Sequence, residues 1–84
     1  YARKILMKGL EEIEYIQPYP SQANYIFCKL INKDSRELAI KLCNEYGILI
    51  KDCSSKESIN QSYIRIAVRD IRDNEYLLSG LQNI

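Results

Sequence analysis

The sequence predicts a small α+β domain with element order αβαββα, a three-stranded mixed sheet and helices on one face of that sheet. Strict alternation at residues 63–69, YIRIAVR, is typical of a β-strand with one apolar face. Residues 34–47 begin with the capping residue Asp34, contain an apolar stripe and end at Gly47, as an α-helix does. The length of 84 residues is enough for one domain with a thin core.

The opening stretch, YARKILMKGL, predicts the first helix. Its apolar stripe comprises Leu6, Leu10 and Ile13, with Ile5 beside it. Because the chain lacks a start methionine, we interpret this helix as one entered part-way, in a fragment of a longer protein. Residues 16–22, IQPYPSQ, break the helix with two prolines. Residues 23–30, ANYIFCKL, are rich in strand formers and predict the first strand.

The second helix has the clearest boundaries. Asp34 is its predicted N-cap, and Glu37 stands three residues later, as in a capping box. Gly47 occupies the position where helices often end in the left-handed conformation. The predicted buried stripe comprises Leu38, Leu42 and Cys43, flanked by Ala39 and Tyr46. Residues 48–53, ILIKDC, predict the second strand.

The remaining elements are a polar loop at 54–62, the third strand at 63–69 and a final helix. Asp70 or Asp73 is the predicted N-cap of that helix. Its apolar stripe comprises Leu77, Leu78, Leu81 and Ile84.

The simplest sheet has strand order 1-3-2, with the third strand in the middle. We expect it to run parallel to the first strand and antiparallel to the second, or with the reverse pairing sense at one edge. The helix after the first strand implies a right-handed crossover. Ile64, Ile66 and Val68 then face the helices, whereas Arg65 and Arg69 lie on the other face.

Composition excludes several classes of site. The net charge of +1 argues against a nucleic-acid or membrane partner. The absence of histidine and of any C-x-x-C pair argues against zinc sites and His-dependent nucleophiles, so we predict no metal site. The cysteines, Cys28, Cys43 and Cys53, are interpreted as free, buried small hydrophobes. Without a signal pattern or a long apolar run, the sequence predicts a soluble, cytoplasmic protein.

Cationic side chains are the strongest candidates for binding. Arg65 and Arg69 are either solvated or facing an anion, and they lie about 13 Å apart along a strand, so at most one grips a given carboxylate. Lys51 brings a second charge near Arg65 if the strands are neighbours, or simply protects a sheet edge. Asn24 binds a ligand or satisfies local backbone.

Aromatic side chains favour an alternative reading of the same face. Tyr25, Phe27 and Tyr63 are spaced like a platform on which RNA bases stack. The low net charge and the lack of a glycine-aromatic signature on the third strand weaken that alternative.

Three phrases in fixed order resemble the C-terminal small domain of fold-type I pyridoxal-phosphate aminotransferases: YPSQANYIFCKL, GILIKDCSS and YIRIAVRDIRDNEYLLSGL. The likeness is greatest to histidinol-phosphate aminotransferase and threonine-phosphate decarboxylase. It implies that residues 1–84 are one small domain, and that a larger, absent domain binds pyridoxal 5'-phosphate and carries the Schiff-base lysine. Arg65 corresponds to the arginine that binds the substrate α-carboxylate. Position 51, usually arginine in these relatives, is Lys51 here.

The resemblance implies a function that the residues alone do not name. The small domain of an aminotransferase of amino-acid biosynthesis would bind an amino acid or phosphorylated amino compound and close the active site. The full-length enzyme would be a homodimer, and this chain alone would be inactive. The alternatives are a phospho-amino-acid decarboxylase and, in another class, a stand-alone ferredoxin-like binding or regulatory module.

Overall fold

The computed structural model of the chain describes residues 2–20, 24–53 and 62–84. Three helices and four strands lie in these segments. In chain order they are α1 (Ala2–Glu11), β1 (Ile16–Pro18), β2 (Tyr25–Leu30), α2 (Ser35–Tyr46), β3 (Lys51–Asp52), β4 (Tyr63–Ala67) and α3 (Ile71–Gln82). The predicted α+β class is confirmed, whereas the predicted loop at 54–62 lies outside the described residues except for Ser62.

The sheet has four strands in the order β1-β2-β4-β3, and each neighbouring pair is antiparallel. The first, second and third predicted strands are β2, β3 and β4. Their predicted order, 1-3-2, is therefore confirmed, because β4 lies between β2 and β3. The predicted three-stranded mixed sheet and the parallel pairing of the first and third strands are wrong. Since β2 and β3 are both antiparallel to β4, they run parallel to each other, and α2 crosses over the strand between them.

The strand that the sequence did not reveal is β1. It pairs with the far end of β2, with Ile16 opposite Leu30 and Pro18 opposite Cys28. Proline cannot donate a ladder hydrogen bond, but it is tolerated in an edge strand, which is what β1 is. The two prolines predicted only a break after the first helix, but the first of them, Pro18, is the last residue of a short edge strand.

Two predicted strands are shorter than expected. The second strand, predicted at 48–53, is reduced to Lys51–Asp52. Ile48 still belongs to the C-terminal cap of α2, because its amide donates to the Leu42 carbonyl at 3.2 Å. The third strand, predicted at 63–69, ends at Ala67. The amide of Arg69 instead donates to the Asn74 side chain at 3.1 Å.

The caps of α2 and α3 are those that the sequence predicted. Asp34 accepts the amides of Arg36 and Glu37, and Gly47 has φ +66°, in the left-handed region where glycine avoids a side-chain clash. Of the two candidates for α3, the N-cap is Asp70, which accepts the Asp73 amide.

The core lies between the three helices and one face of the sheet. Ile26, Cys28, Ile64 and Ile66 cover that face and are at most 1% exposed. The helices contribute Leu6, Leu10, Leu38, Leu42, Leu77 and Leu81. The prediction that helices cover one face, towards Ile64, Ile66 and Val68, is confirmed: the two isoleucines are buried, and Val68 is partly buried against the same core. None of the helices in the described segments is long and apolar enough to cross a membrane.

The cysteines do not share one environment. Cys28 is buried as predicted, but Cys43 is exposed and Cys53 is half-buried, so the prediction for these two was wrong. Cys43 follows the buried Leu42 directly, and one helical step of about 100° carries it out of the apolar stripe and into solvent.

Candidate functional site

Arg65 occupies the middle of β4, on the face of the sheet that the helices do not cover. Its neighbours Ile64 and Ile66 are buried in the core, and strand alternation directs Arg65 the other way. Directly opposite it are Phe27 of β2 and Lys51 of β3. Arg65 and Lys51 therefore stand side by side on one face, on neighbouring strands.

Tyr25 orients the Arg65 side chain. The guanidinium carbon of Arg65 lies over the Tyr25 ring, 4.8 Å from its centroid, in cation–π geometry. Tyr25 is on β2, two residues from Phe27, so this contact is diagonal across the strand pair. This contact restrains the guanidinium beside the Tyr25 ring.

A concavity of about 660 Å³ opens on this face. It is lined by Asn24, Tyr25, Leu49, Ile50, Lys51, Arg65 and Ala67. All three predicted substrate-binding residues thus reach the same concavity. Asn24 lies just before β2 and is exposed. Its backbone carbonyl accepts a hydrogen bond from the Val68 amide at 2.8 Å.

The charge of this concavity is positive. In the described part of the chain the salt bridges join Lys41 to Glu45 and Arg69 to Asp73, so neither Lys51 nor Arg65 is paired with a carboxylate there. Two neighbouring cations with no counter-ion among the described residues favour an anionic ligand. A carboxylate matches the arginine fork in shape and charge.

Arg69 is separated from this site by its role at the start of α3. Its Nε lies 3.1 Å from Asp73 Oδ2, and its backbone carbonyl accepts from Asn74 Nδ2 at 3.0 Å. Arg69 therefore does not share the concavity with Arg65, and the prediction that both arginines lie on one face of the strand was wrong. The reason is that β4 ends at Ala67, before Arg69 is reached.

Aromatic residues of β2 and β4 pack against one another beside the cations. Phe27 and Tyr63 are stacked with their ring centroids 5.0 Å apart, and Tyr19 lies 6.0 Å from Phe27. Sequence reasoning recognised the aromatic spacing but missed the pairing of Tyr25 with Arg65. Strand alternation placed both side chains on one face, but their contact depends on the register between β2 and β4.

Titratable groups with perturbed pKa values lie away from the concavity. Burial raises the pKa of Tyr15 to about 12 and that of Cys28 to about 12. Across residues 2–20, 24–53 and 62–84, no cluster of three His, Cys, Asp or Glu side chains is arranged to hold a metal ion. The charged side chains that line the concavity are those of Arg65 and Lys51.

Comparison with known proteins gives the family. Residues 2–81 match the profile of the family described as "Aminotransferase class I and II". A similar curated protein is the histidinol-phosphate aminotransferase of Methanocaldococcus jannaschii, 29% identical over 83 residues. That alignment covers 99% of this chain but 22% of the relative, so the chain spans about a fifth of the length of such relatives.

Solved structures share the fold over nearly the whole chain. A decarboxylase from Sulfurospirillum multivorans is 28% identical, with a TM-score of 0.88, over 98% of this chain and 23% of that one. The histidinol-phosphate aminotransferase from Clostridium acetobutylicum is also 28% identical, with a TM-score of 0.86, over 98% and 25%. The L-threonine-O-3-phosphate decarboxylase from Porphyromonas gingivalis, 22% identical with a TM-score of 0.85 over 95% and 25%, adds evidence for the fold alone. The resemblance seen in three phrases of the sequence is thereby confirmed, and the chain belongs to the class I and II aminotransferase family.

Proposed function

We propose that this chain is the small, C-terminal domain of a pyridoxal-phosphate-dependent aminotransferase similar to histidinol-phosphate aminotransferase. In that enzyme it binds the substrate α-carboxylate through Arg65, with Lys51 and Asn24 beside it, and closes over the active site. The observation that carries the proposal is the direct pairing of Lys51 with Arg65 on the uncovered face of the sheet.

The setting of Arg65 suits a carboxylate clamp. Arg65 is half-buried and its guanidinium lies over Tyr25, so less side-chain freedom is lost when it binds than for a fully solvated arginine. Closure of a second domain over this face would exclude water and strengthen the charge-assisted hydrogen bonds. Domain closure of this kind is a common way to sequester a reaction from solvent.

Lys51 contributes charge without the geometry of an arginine. Its side chain is exposed at the edge strand, and an ammonium acts as a flexible point charge with three donors. We therefore assign orientation of the carboxylate to Arg65 and general anion attraction to Lys51. Asn24, at the rim, supplies amide groups that bind either a carboxylate or a phosphate oxygen.

The described residues do not fit the cofactor itself. No glycine lines the concavity, and none of the described lysines is buried. A Schiff-base lysine needs a desolvated or otherwise activated setting. We therefore assign pyridoxal 5'-phosphate and its lysine to a larger domain of the same protein.

The proposal also specifies partners. The substrate is an amino acid or a phosphorylated amino compound, and the face around Arg65 meets the larger domain of the same protein. The complete enzyme is a homodimer that works in amino-acid biosynthesis in the cytoplasm.

Substitution of Arg65 in the full-length enzyme tests this proposal. Arg65→Lys keeps the charge and loses the fork, whereas Arg65→Ala loses both, so kcat/KM should fall in that order. For Arg65→Ala the loss should be roughly 2–5 kcal/mol, the cost of leaving a buried charge unpaired. Arg69→Ala is the matched control, because that exposed arginine pairs with Asp73, and it should leave kcat/KM near the unaltered value.

The substrate provides the second control. An amine that lacks the carboxylate should react about equally with the unaltered enzyme and with Arg65→Ala, since neither makes the contact. An equal loss of activity on that amine and on the amino acid would show that Arg65 is not a carboxylate clamp.

A second candidate is decarboxylation of a phospho-amino acid. The similarity to the Sulfurospirillum multivorans decarboxylase, with its TM-score of 0.88, favours decarboxylation as the reaction. Product analysis separates the two candidates, because transamination yields a keto acid and retains the carboxylate, whereas decarboxylation releases carbon dioxide. Release of one carbon dioxide per substrate consumed would replace the first candidate by the second.

A further inference from the structure

The strand that carries Lys51 is very short. β3 consists of Lys51 and Asp52, which pair with Arg65 and Ile64 of β4. Past its end, the Cys53 amide donates to the Tyr63 carbonyl at 2.9 Å. So small a ladder holds the position of an exposed lysine only weakly, and its register depends on other contacts.

Ser35 supplies such a contact from the opposite face of the sheet. It is the first residue of α2, it is 1% exposed, and its hydroxyl donates to Asp52 Oδ1 at 2.6 Å. Strand alternation directs Asp52 towards the helices when Lys51 faces the concavity. A short hydrogen bond from a buried hydroxyl to a carboxylate is among the stronger kinds. Losing it would leave that carboxylate without this partner.

We infer that Ser35 and Asp52 are positioning residues, whose hydrogen bond ties β3 to α2 and so holds Lys51 opposite Arg65 for binding the anionic substrate. This inference rests on the proposed function. Neither residue lines the concavity, so both act through Lys51. The location of Asp52 near the start of α2 adds a favourable interaction between its carboxylate and the helix dipole.

A double-substitution experiment in the full-length enzyme isolates this role. The enzymes compared are the unaltered one, Ser35→Ala, Lys51→Ala and the double variant. Ser35→Ala should raise KM for the amino acid by about fivefold, within the range for residues coupled in one hydrogen-bonded network. In the Lys51→Ala background, the same Ser35 substitution should raise KM no further. The KM for an amine without a carboxylate should not change in any variant.

Several results would overturn the inference. An equal rise in KM from Ser35→Ala in both backgrounds, or an equal rise for the amine, would mean that Ser35 acts on the structure generally. An unchanged KM in Lys51→Ala would also overturn it. The two failures that concern Ser35 leave the proposed function standing, because that function is tested by Arg65→Ala and needs no contribution from Ser35. An unchanged KM in Lys51→Ala would in addition remove Lys51 from the proposed substrate site and leave Arg65 to its own test.

Asp52 gives a second route if Ser35→Ala does not fold. Asp52→Asn keeps a side-chain oxygen that accepts from the Ser35 hydroxyl, and its KM for the amino acid should stay near the unaltered value. Asp52→Ala removes that oxygen and should raise KM about as much as Ser35→Ala. Equal KM values for the Asn and Ala variants would contradict the positioning role.

Discussion

Tyr15 connects the turn after α1 to the end of α3 through its phenol. The hydroxyl donates to the Leu81 carbonyl at 2.6 Å, and the ring lies 4.6 Å from the Lys33 ammonium nitrogen. Burial favours the neutral phenol, so it raises the pKa of Tyr15 from 10.0 to about 12. Cys28, in the core, has its pKa raised from 9.0 to about 12 for the same reason.

These two groups predict a loss of stability at alkaline pH. Between pH 10 and about 12 the unfolded chain releases the Tyr15 proton while the folded chain keeps it, so the free energy of unfolding falls as the pH rises. Tyr15→Phe should lower stability by about 1 kcal/mol at neutral pH through the lost hydrogen bond. It should also make the decline above pH 10 shallower. Urea titrations of both proteins at several alkaline pH values measure this, and parallel declines would show that Tyr15 does not contribute.

Arg65 and Arg69 have different roles because their side chains contact different neighbours. Arg65 stacks on Tyr25 beside Lys51, whereas Arg69 bonds to Asp73 at the start of α3. Alternation along residues 63–69 predicted the outward direction of Arg65. It also placed Arg69 on that face, wrongly, because alternation carries no information about where a strand stops.

At the scale of the strand, β4 divides the molecule into a buried and an uncovered side. Ile66 is 1% exposed in the centre of the sheet, so Ile66→Ala should lower the free energy of unfolding by about 2–5 kcal/mol. Ile66→Val, which removes one methyl group, should cost about 0.5–1.5 kcal/mol. Arg69→Ala should cost less than about 1 kcal/mol, since its ion pair with Asp73 is exposed.

Denaturant titration of the three variants measures these differences. Comparable losses from Ile66→Ala and Arg69→Ala would show that the assignment of core and solvent faces is wrong. A loss from Ile66→Val as large as that from Ile66→Ala would instead indicate that the strand moves as a whole.

Elements with strong local signals were predictable, and those set by pairing were not. The caps Asp34, Gly47 and Asp70 are chemical signals within one segment, so α2 and α3 were found close to their observed bounds. β1 has three residues and a proline, and it exists because β2 offers it an edge. β3 is shorter than its apolar run because the amide of Ile48 is used by the end of α2.

At the scale of the whole molecule, one sheet separates the hydrophobic core from the proposed binding face. Its inner face holds the core with the helices, and its outer face holds Arg65, Lys51 and the aromatic residues. The predicted strand order 1-3-2, which is correct, already placed Lys51 beside Arg65. Asn24 lines the same concavity because β2 begins next to the end of β4. The antiparallel sense of β2 and β4 could not be predicted, since no pattern within either strand specifies its direction.

The last prediction concerns the lysines of this chain. A lysine forms a stable Schiff base efficiently when it is enclosed in a site that favours its neutral amine, and a neighbouring cation, such as Arg65 beside Lys51, has little effect across solvent. Lys4, Lys8, Lys41 and Lys51 are exposed, and Lys29 and Lys33 are half-buried, so none of these described lysines has an enclosed setting.

The 84-residue chain alone, incubated with pyridoxal 5'-phosphate and reduced with borohydride, should therefore be labelled weakly at several lysines. Peptide mass spectrometry after digestion locates and quantifies the label. The full-length enzyme, treated in parallel, should carry one stoichiometric label outside these 84 residues. Stoichiometric labelling of a single lysine within the chain would contradict the assignment of the cofactor to another domain. It would not affect the assignment of the carboxylate to Arg65, because a guanidinium binds its anion without any covalent step.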